Sequence, residues 1–450
     1  MSLQQFWDQY FISPKERYRL TGTLVGHKAA INCLAFVEPD ILASGGNLCS
    51  SFVFPSHILA GDDQTVRIWD LHLQQMIQTF DDAQKRWGQI TCMAVSNAGI
   101  AGDTMLCCGT GRGLVVIFKR SKKKNEFQKI SSTQVLDADN VESMAYDPTH
   151  HRLACTGHGG KIQLLQIERD GSLVVLWKAG SGGSIPRTVI FGDRGQQVKA
   201  YCLETGECIT RDCETPAKKD ICRLQSPIGN LDVCPQEKRI VVDNMTSGYD
   251  LYSIDRTSPT RTFEIPNGRH YVKMIKFAEK GGVIVGGSDH GCVYVFDVND
   301  SEPTQVLYHD RADSLIQTLA TNSSREEDII ASGSSDGRFD ICLWRKPSKL
   351  EAARPAGAWQ ALCELARAVA VVLFVACLYI GWTAWGPVMV NGLQSLQEGI
   401  RNPPAGAPYT QVMHYVAATG PRSANELRKG FQVQDGIKDP ESSIVPGRWS

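Results

Sequence analysis

One six-residue pattern recurs seven times along this chain, and the interval between its copies constrains the fold more than any other feature. It reads INCLAF at residue 31, ITCMAV at 90, VESMAY at 141, PRTVIF at 186, IGNLDV at 228, VKMIKF at 272 and LIQTLA at 315. The successive steps are 59, 51, 45, 42, 44 and 43 residues. The second step is long because it carries the charged run KRSKKKNE. The first is long because residues 47–61, NLCSSFVFPSHILAG, sit between ILASGG and DDQTVRIWD; without them it shortens to 44. Two more β-rich runs follow each copy, for example RLACTGHGG then KIQLLQIE, with Gly, Asp and Ser between them. A unit of about four short antiparallel strands cannot bury a sheet face alone, so seven such units are expected to pack against their neighbours in a ring.

Gly26-His27 followed by Ile68-Trp69-Asp70 resembles the GH…WD signature of the WD40 repeat family, and the period agrees with it. The seventh unit keeps ASGSSDG and Leu343-Trp344, and the sixth ends Val295-Phe296-Asp297. The fourth, QQVKAYCLETGECIT, is recognisable by its position. The resemblance spans residues 17–346 and implies an all-β, seven-bladed propeller. It also implies a structural tetrad of His27, Ser44, Asp63 and Trp69, in which the carboxylate holds the imidazole and the hydroxyl bridges to the indole N–H. A Ser, a His and an Asp together raise the possibility of a hydrolase, but this Ser is engaged with Trp69 and no oxyanion donors are apparent. In this family a sequence repeat gives its first strand to the preceding blade. RLTGTLV, residues 19–25, is therefore expected to complete the seventh blade and close the ring.

Charge and cysteine usage narrow the function. The formal net charge of −1 removes the sequence-wide cationic field that nucleic-acid binding needs. The cysteines are scattered, with no CxxC pair. Cys202, Cys208, Cys213 and Cys222, spaced by six, five and nine, do not match a zinc knuckle. They read as free thiols of a reducing compartment, with no metal and no cofactor. Residues 1–16 form an N-terminal extension without the apolar run of a signal peptide.

Beyond Trp344 the composition changes. Residues 347–365 form a charged, Pro- and Ala-rich linker, and 366–390 read as a transmembrane helix. Within it, residues 368–390 carry no charge and would span about 34 Å as a helix. Trp382 and Trp385 lie towards its far end, where aromatic rings favour the interface. Arg345, Lys346, Lys349, Arg354 and Arg367 flank its N-terminal side, against Arg401 on the other. This bias predicts a cytosolic propeller and a lumenal or extracellular tail, residues 391–450, polar and expected to be largely disordered.

Strand order also assigns loops to faces. The chain leaves for the membrane after a third strand, and the basic loop Lys119, Arg120, Lys122, Lys123 and Lys124 follows another third strand. Both are expected on one face, directed at the bilayer, where each cation contributes roughly 1 kcal/mol against anionic lipid; the alternative for the basic run is a solvated turn. Residues 47–61 and the Gly-rich KAGSGGSIPR (178–187) open on the opposite face. The latter lacks the Lys-Ser/Thr of a phosphate loop. Residues 47–61 have two explanations: a natural partner-binding loop displaying Phe52 and Phe54, or translated intron sequence. Sequencing the mature transcript separates them.

No catalytic constellation stands out. The sequence reads as a membrane-anchored WD40 scaffold that binds a protein or peptide through its cytosolic propeller face. The architecture is also similar to the endoplasmic-reticulum propeller that activates the small GTPase of the secretory coat, so an exchange factor for such a GTPase is the alternative. The Gly- and Asn-rich potassium loop of that propeller's first blade is not found, nor is the paired-arginine motif of phosphoinositide-binding propellers.

Overall fold

The computed structural model describes residues 17–46, 63–96, 103–120, 126–266 and 268–347, and the scattered positions 367, 369, 371, 373–376, 379 and 383. It divides into two units, Met1–Arg354 and Pro355–Ser450.

The described strands of the first unit form seven antiparallel four-stranded sheets. Six are continuous in sequence, spanning residues 31–80, 90–134, 141–180, 186–223, 231–264 and 275–308. The seventh joins the last three strands to the first one, Arg19–Leu24, which pairs with Ile341–Pro347. The ring is closed, as the position of RLTGTLV led us to expect.

Burial follows strand position within a blade. In the first blade Ile41–Gly46 is buried at every residue, because both of its faces meet other blades. The outer strand Gln75–Phe80 is largely exposed and carries Gln and Thr among its apolar residues. The buried side chains fall into seven clusters, one at each seam between neighbouring blades. At the closing seam Leu24, Ile341 and Leu343 meet Ile31, Leu42 and Trp69. Among the described residues the buried apolar side chains lie at these seams, which hold the propeller together.

A bulge repeats at the start of the first strands. Register slips by one residue after Ile31, Ile90, Val141, Pro186 and Ile316, leaving Asn32, Thr91, Glu142, Arg187 and Gln317 unpaired in the ladder. All five side chains reach a neighbouring blade. Asn32 Nδ2 donates to Ile90 C=O at 3.1 Å, and Thr91 donates to Val141 C=O. Arg187 pairs with Glu142, and Gln317 Nε2 donates to Val272 C=O at 3.1 Å. The bulged residue, second in four of these hexads and third in the last, is thus a blade-to-blade latch.

In the fifth and sixth blades the first strands start later than the hexads, at Leu231 and Ile275. Asp243 takes over the approach to both: its C=O accepts from Gly229 N–H, and its Oδ2 accepts from Lys273 N–H, each at 2.8 Å.

In the second unit the described positions are helical, and Val369, Val371, Leu373, Phe374, Val375 and Tyr379 are exposed. No helix among the described residues is long and apolar enough to cross a membrane. The transmembrane helix expected over 366–390 is therefore not supported by them, and most of that segment lies outside the described residues. So do the extension 1–16, the linker after Pro347 and the tail 391–450.

Candidate functional site

The four tetrad residues come together in the first blade. Trp69 Nε1–H can only donate, and it does so to Ser44 Oγ at 2.8 Å. That hydroxyl must then donate onward, to His27 Nε2 at 2.6 Å. His27 is left with its proton on Nδ1, which faces Asp63 Oδ2 at 2.7 Å. Burial pushes the imidazole below its ordinary pKa, so the ring is neutral. Burial also acts to raise the Asp63 carboxyl. Hydrogen bonds from His27, Thr65 and Lys28 N–H outweigh it and hold the group well below the usual carboxylate range. Ser44 is fully buried with its proton committed to His27, so this arrangement offers no nucleophile to a substrate.

A shorter version of the same network, missed from the sequence, sits in the seventh blade. Trp344 Nε1–H donates to Ser332 Oγ at 3.0 Å, and Ser332 shares a 2.7 Å hydrogen bond with His309 Nδ1. The corresponding carboxylate, Asp336, accepts from Leu315 N–H at 2.7 Å instead of from the ring. Burial pushes His309 down to about 4.

The hairpin that carries residues 47–61 is closed at its base. Gly46 N–H donates to Thr65 C=O at 3.1 Å, and a side chain on Gly46 would strike the Asp63 backbone. Asn47 to Asp62, including Phe52 and Phe54, lie outside the described residues. The basic loop requires a correction. Lys119 and Arg120 belong to the strand Leu114–Arg120 and are ion-paired, to Asp103 at 2.9 Å and Glu38 at 2.6 Å. Their long apolar stems suit a strand end, which a run of charges conceals. Lys122, Lys123 and Lys124 lie outside the described residues.

The exposed feature with the firmest support is a loop that sequence reasoning did not single out, residues 268–273. It enters the sixth blade on the face shared with the tetrad loops. Asp289 accepts from Gly268 N–H at 2.9 Å and from Arg269 N–H at 2.5 Å. His270 Nδ1 lies 2.9 Å from Met245 C=O. That carbonyl belongs to a turn in which Asn244 Oδ1 accepts from the N–H groups of Thr246, Ser247 and Gly248. Below it lies a fully buried lysine: Lys273 Nζ donates to Tyr271 C=O at 3.0 Å and stands 3.7 Å from Asp243 Oδ1. Held from three sides, the loop presents Tyr271, 46% exposed, with the Arg269 guanidinium 6.0 Å from its ring centre. The sequence signals that could have found it are Asp289, in the turn between the second and third strands of the sixth blade, and an Arg-His-Tyr run between two strands.

Among the described residues no group of His, Cys, Asp or Glu could hold a metal ion. No curated protein matches the chain. Residues 18–70, which contain the whole tetrad and run from the outer strand of one blade through three strands of the next, match the family model of the WD domain, G-beta repeat, and the chain that carries them is a seven-bladed β-propeller.

Proposed function

We propose that this propeller is a scaffold that binds a protein or peptide partner on the face bearing the loop 268–273. The observation that carries the reading is Tyr271 with Arg269, exposed yet fixed by Asp289, Met245 and Lys273. Tyr and Arg dominate binding energies at interfaces, and a loop ordered before binding loses little entropy on association. Partners captured on full-length protein should include one that loses at least tenfold in affinity (about 1.4 kcal/mol) on Tyr271→Ala, with the thermal midpoint unchanged. Ile77→Ser, on the outer strand of the first blade, should leave that partner bound. If no captured partner distinguishes the two variants, the loop is not the binding site.

The membrane-anchored form of this reading rests on the sequence of 366–390, on its flanking charges and on the exposed apolar side chains Val369, Val371, Leu373, Phe374, Val375 and Tyr379. In it the propeller is cytosolic and the tail lumenal or extracellular. The last blade's third strand ends at Pro347 on the face opposite the loop 268–273. Protease added to sealed microsomes should digest the propeller and spare a small C-terminal fragment. Recovery of the chain in the carbonate-soluble fraction would exclude the anchor. No feature of the described residues favours the exchange-factor alternative.

A further inference from the structure

Two of the cysteines that failed to form a zinc motif are neighbours in space. Cys208 lies on the third strand of the fourth blade, Glu207–Asp212, and Cys222 on its outer strand, Lys218–Arg223. They are directly opposed in the antiparallel register. Opposed residues of such a pair have Cα atoms roughly 4.5 or 5.5 Å apart, and both values fall within the range of about 4.4–6.8 Å that a disulfide bridges. On the inner side Cys208 is opposed in turn by Tyr201.

We infer that Cys208 and Cys222 form a hydroperoxide-reactive dithiol, with Cys222 as the attacking thiol and Cys208 as the resolving one. The two positions differ in the way these roles require. Cys208 is buried, whereas Cys222 is partly exposed on an edge strand that also carries Lys218, Lys219, Asp220 and Arg223, with Lys219 ion-paired to Asp212 at 2.9 Å. A hydrogen bond from Cys208 brings the Cys222 thiol down to about 7 against burial and the charge of Asp220, with a smaller contribution from Lys199, while that same bond and burial push Cys208 well up. Most other described cysteines are raised by burial, among them Cys108 and Cys155. A partly exposed thiol in a cationic setting is the reactive kind.

The chemistry closes without a further reagent. The Cys222 thiolate attacks one oxygen of a hydroperoxide, the O–O bond breaks, and the other oxygen leaves as an alcohol or as water after taking a proton. Cys222 is then a sulfenic acid. The Cys208 sulfur attacks that sulfur, the S–O bond breaks, and the hydroxide leaves as water with the Cys208 proton. Two thiols supply two electrons and two protons, and the hydroperoxide is reduced. The product ties the outer strand covalently to its neighbour.

Full-length reduced protein treated with equimolar hydrogen peroxide, alkylated and mapped without reductant, should yield one linked peptide pair, Cys208 with Cys222, reversed by dithiothreitol. In untreated protein at neutral pH, iodoacetamide should modify Cys222 about tenfold faster than Cys108 or Cys155. In Cys208→Ser the oxidised Cys222 should be trapped by dimedone, and in Cys222→Ser nothing should be trapped at Cys208. A link to any other cysteine, or Cys222 alkylating no faster than the buried thiols, overturns the assignment. The alkylation order in the unmodified chain decides the matter even where Ser at buried position 208 lowers the folding yield.

Discussion

Removing residues 1–24 from the propeller should abolish its single cooperative unfolding transition. Arg19–Leu24 is the outer strand of the last blade, in register with Ile341–Pro347 at five positions, and Leu24 is buried in the closing seam. Burying a leucine of this kind is worth about 2–5 kcal/mol, and each lost ladder hydrogen bond adds about 1 kcal/mol. A domain's whole stability is about 5–15 kcal/mol, so the deletion removes most of the margin. It also leaves Ile341–Pro347 as an open edge ready to pair with another chain. Tyr18, which the deletion also removes, ties this segment to the sixth blade: its N–H donates to Gln305 Oε1 at 3.0 Å and its hydroxyl lies 3.2 Å from Glu279. The point variant Leu24→Asp should reproduce the loss, whereas Leu20→Ser, on the same strand but 52% exposed, should not. A sharp transition in the deleted protein, followed by circular dichroism against urea, would reject the closure as a source of stability.

The second large effect is expected at Trp69. Trp69→Ala removes one of the largest fully buried side chains and leaves Ser44 without its donor, for a cost of about 3–5 kcal/mol. Met76→Ala, on an exposed part of the same blade, should change stability by less than about 0.5 kcal/mol. The tetrad also makes folding sensitive to acid. His27 and His309 have folded pKa values below the unfolded one, so below about pH 6.5 the unfolded chain binds protons that the folded chain refuses. Stability is complete above that pH and is lost as the pH falls towards the folded values. From about pH 7.5 to about pH 5.5 each histidine removes up to about 1.4 kcal/mol. Urea titrations of the parent and of His27→Gln at both pH values check this; an equal fall in the two proteins would remove His27 from the account.

The tetrad was legible because its four members lie in one repeat whose motif is intact, with only residues 47–61 interposed. His309 was not, because the loop entering its strand is longer: His309 stands seven residues before Ile316, whereas His27 stands four before Ile31. The ring and its closure followed from the period and from the missing outer strand. The bulges could not be read, since Asn32, Thr91 and Gln317 look like ordinary strand residues until the next blade's carbonyl is placed beside them. The burial of Lys273 depends on Asp243, thirty residues away in another blade. Lys119 and Arg120 were read into a loop because nothing local reveals Asp103 or Glu38 as their partners. What escaped was, in each case, a contact between distant parts of the chain.

The closing seam sets an order of events during synthesis. Thr21 donates its hydroxyl proton to Leu343 C=O across 322 residues of chain. At about 5–20 residues per second a ribosome needs roughly 16–64 s to cover that distance. Throughout that interval the first strand made has no partner, and every intermediate has an unsatisfied edge at each end of a growing arc. A cell making this protein must shield those edges for most of a minute, and a stall anywhere before Ile341 leaves the arc open. Synthesis and folding therefore run in opposite directions at the seam: the strand that emerges first is the last to find its place.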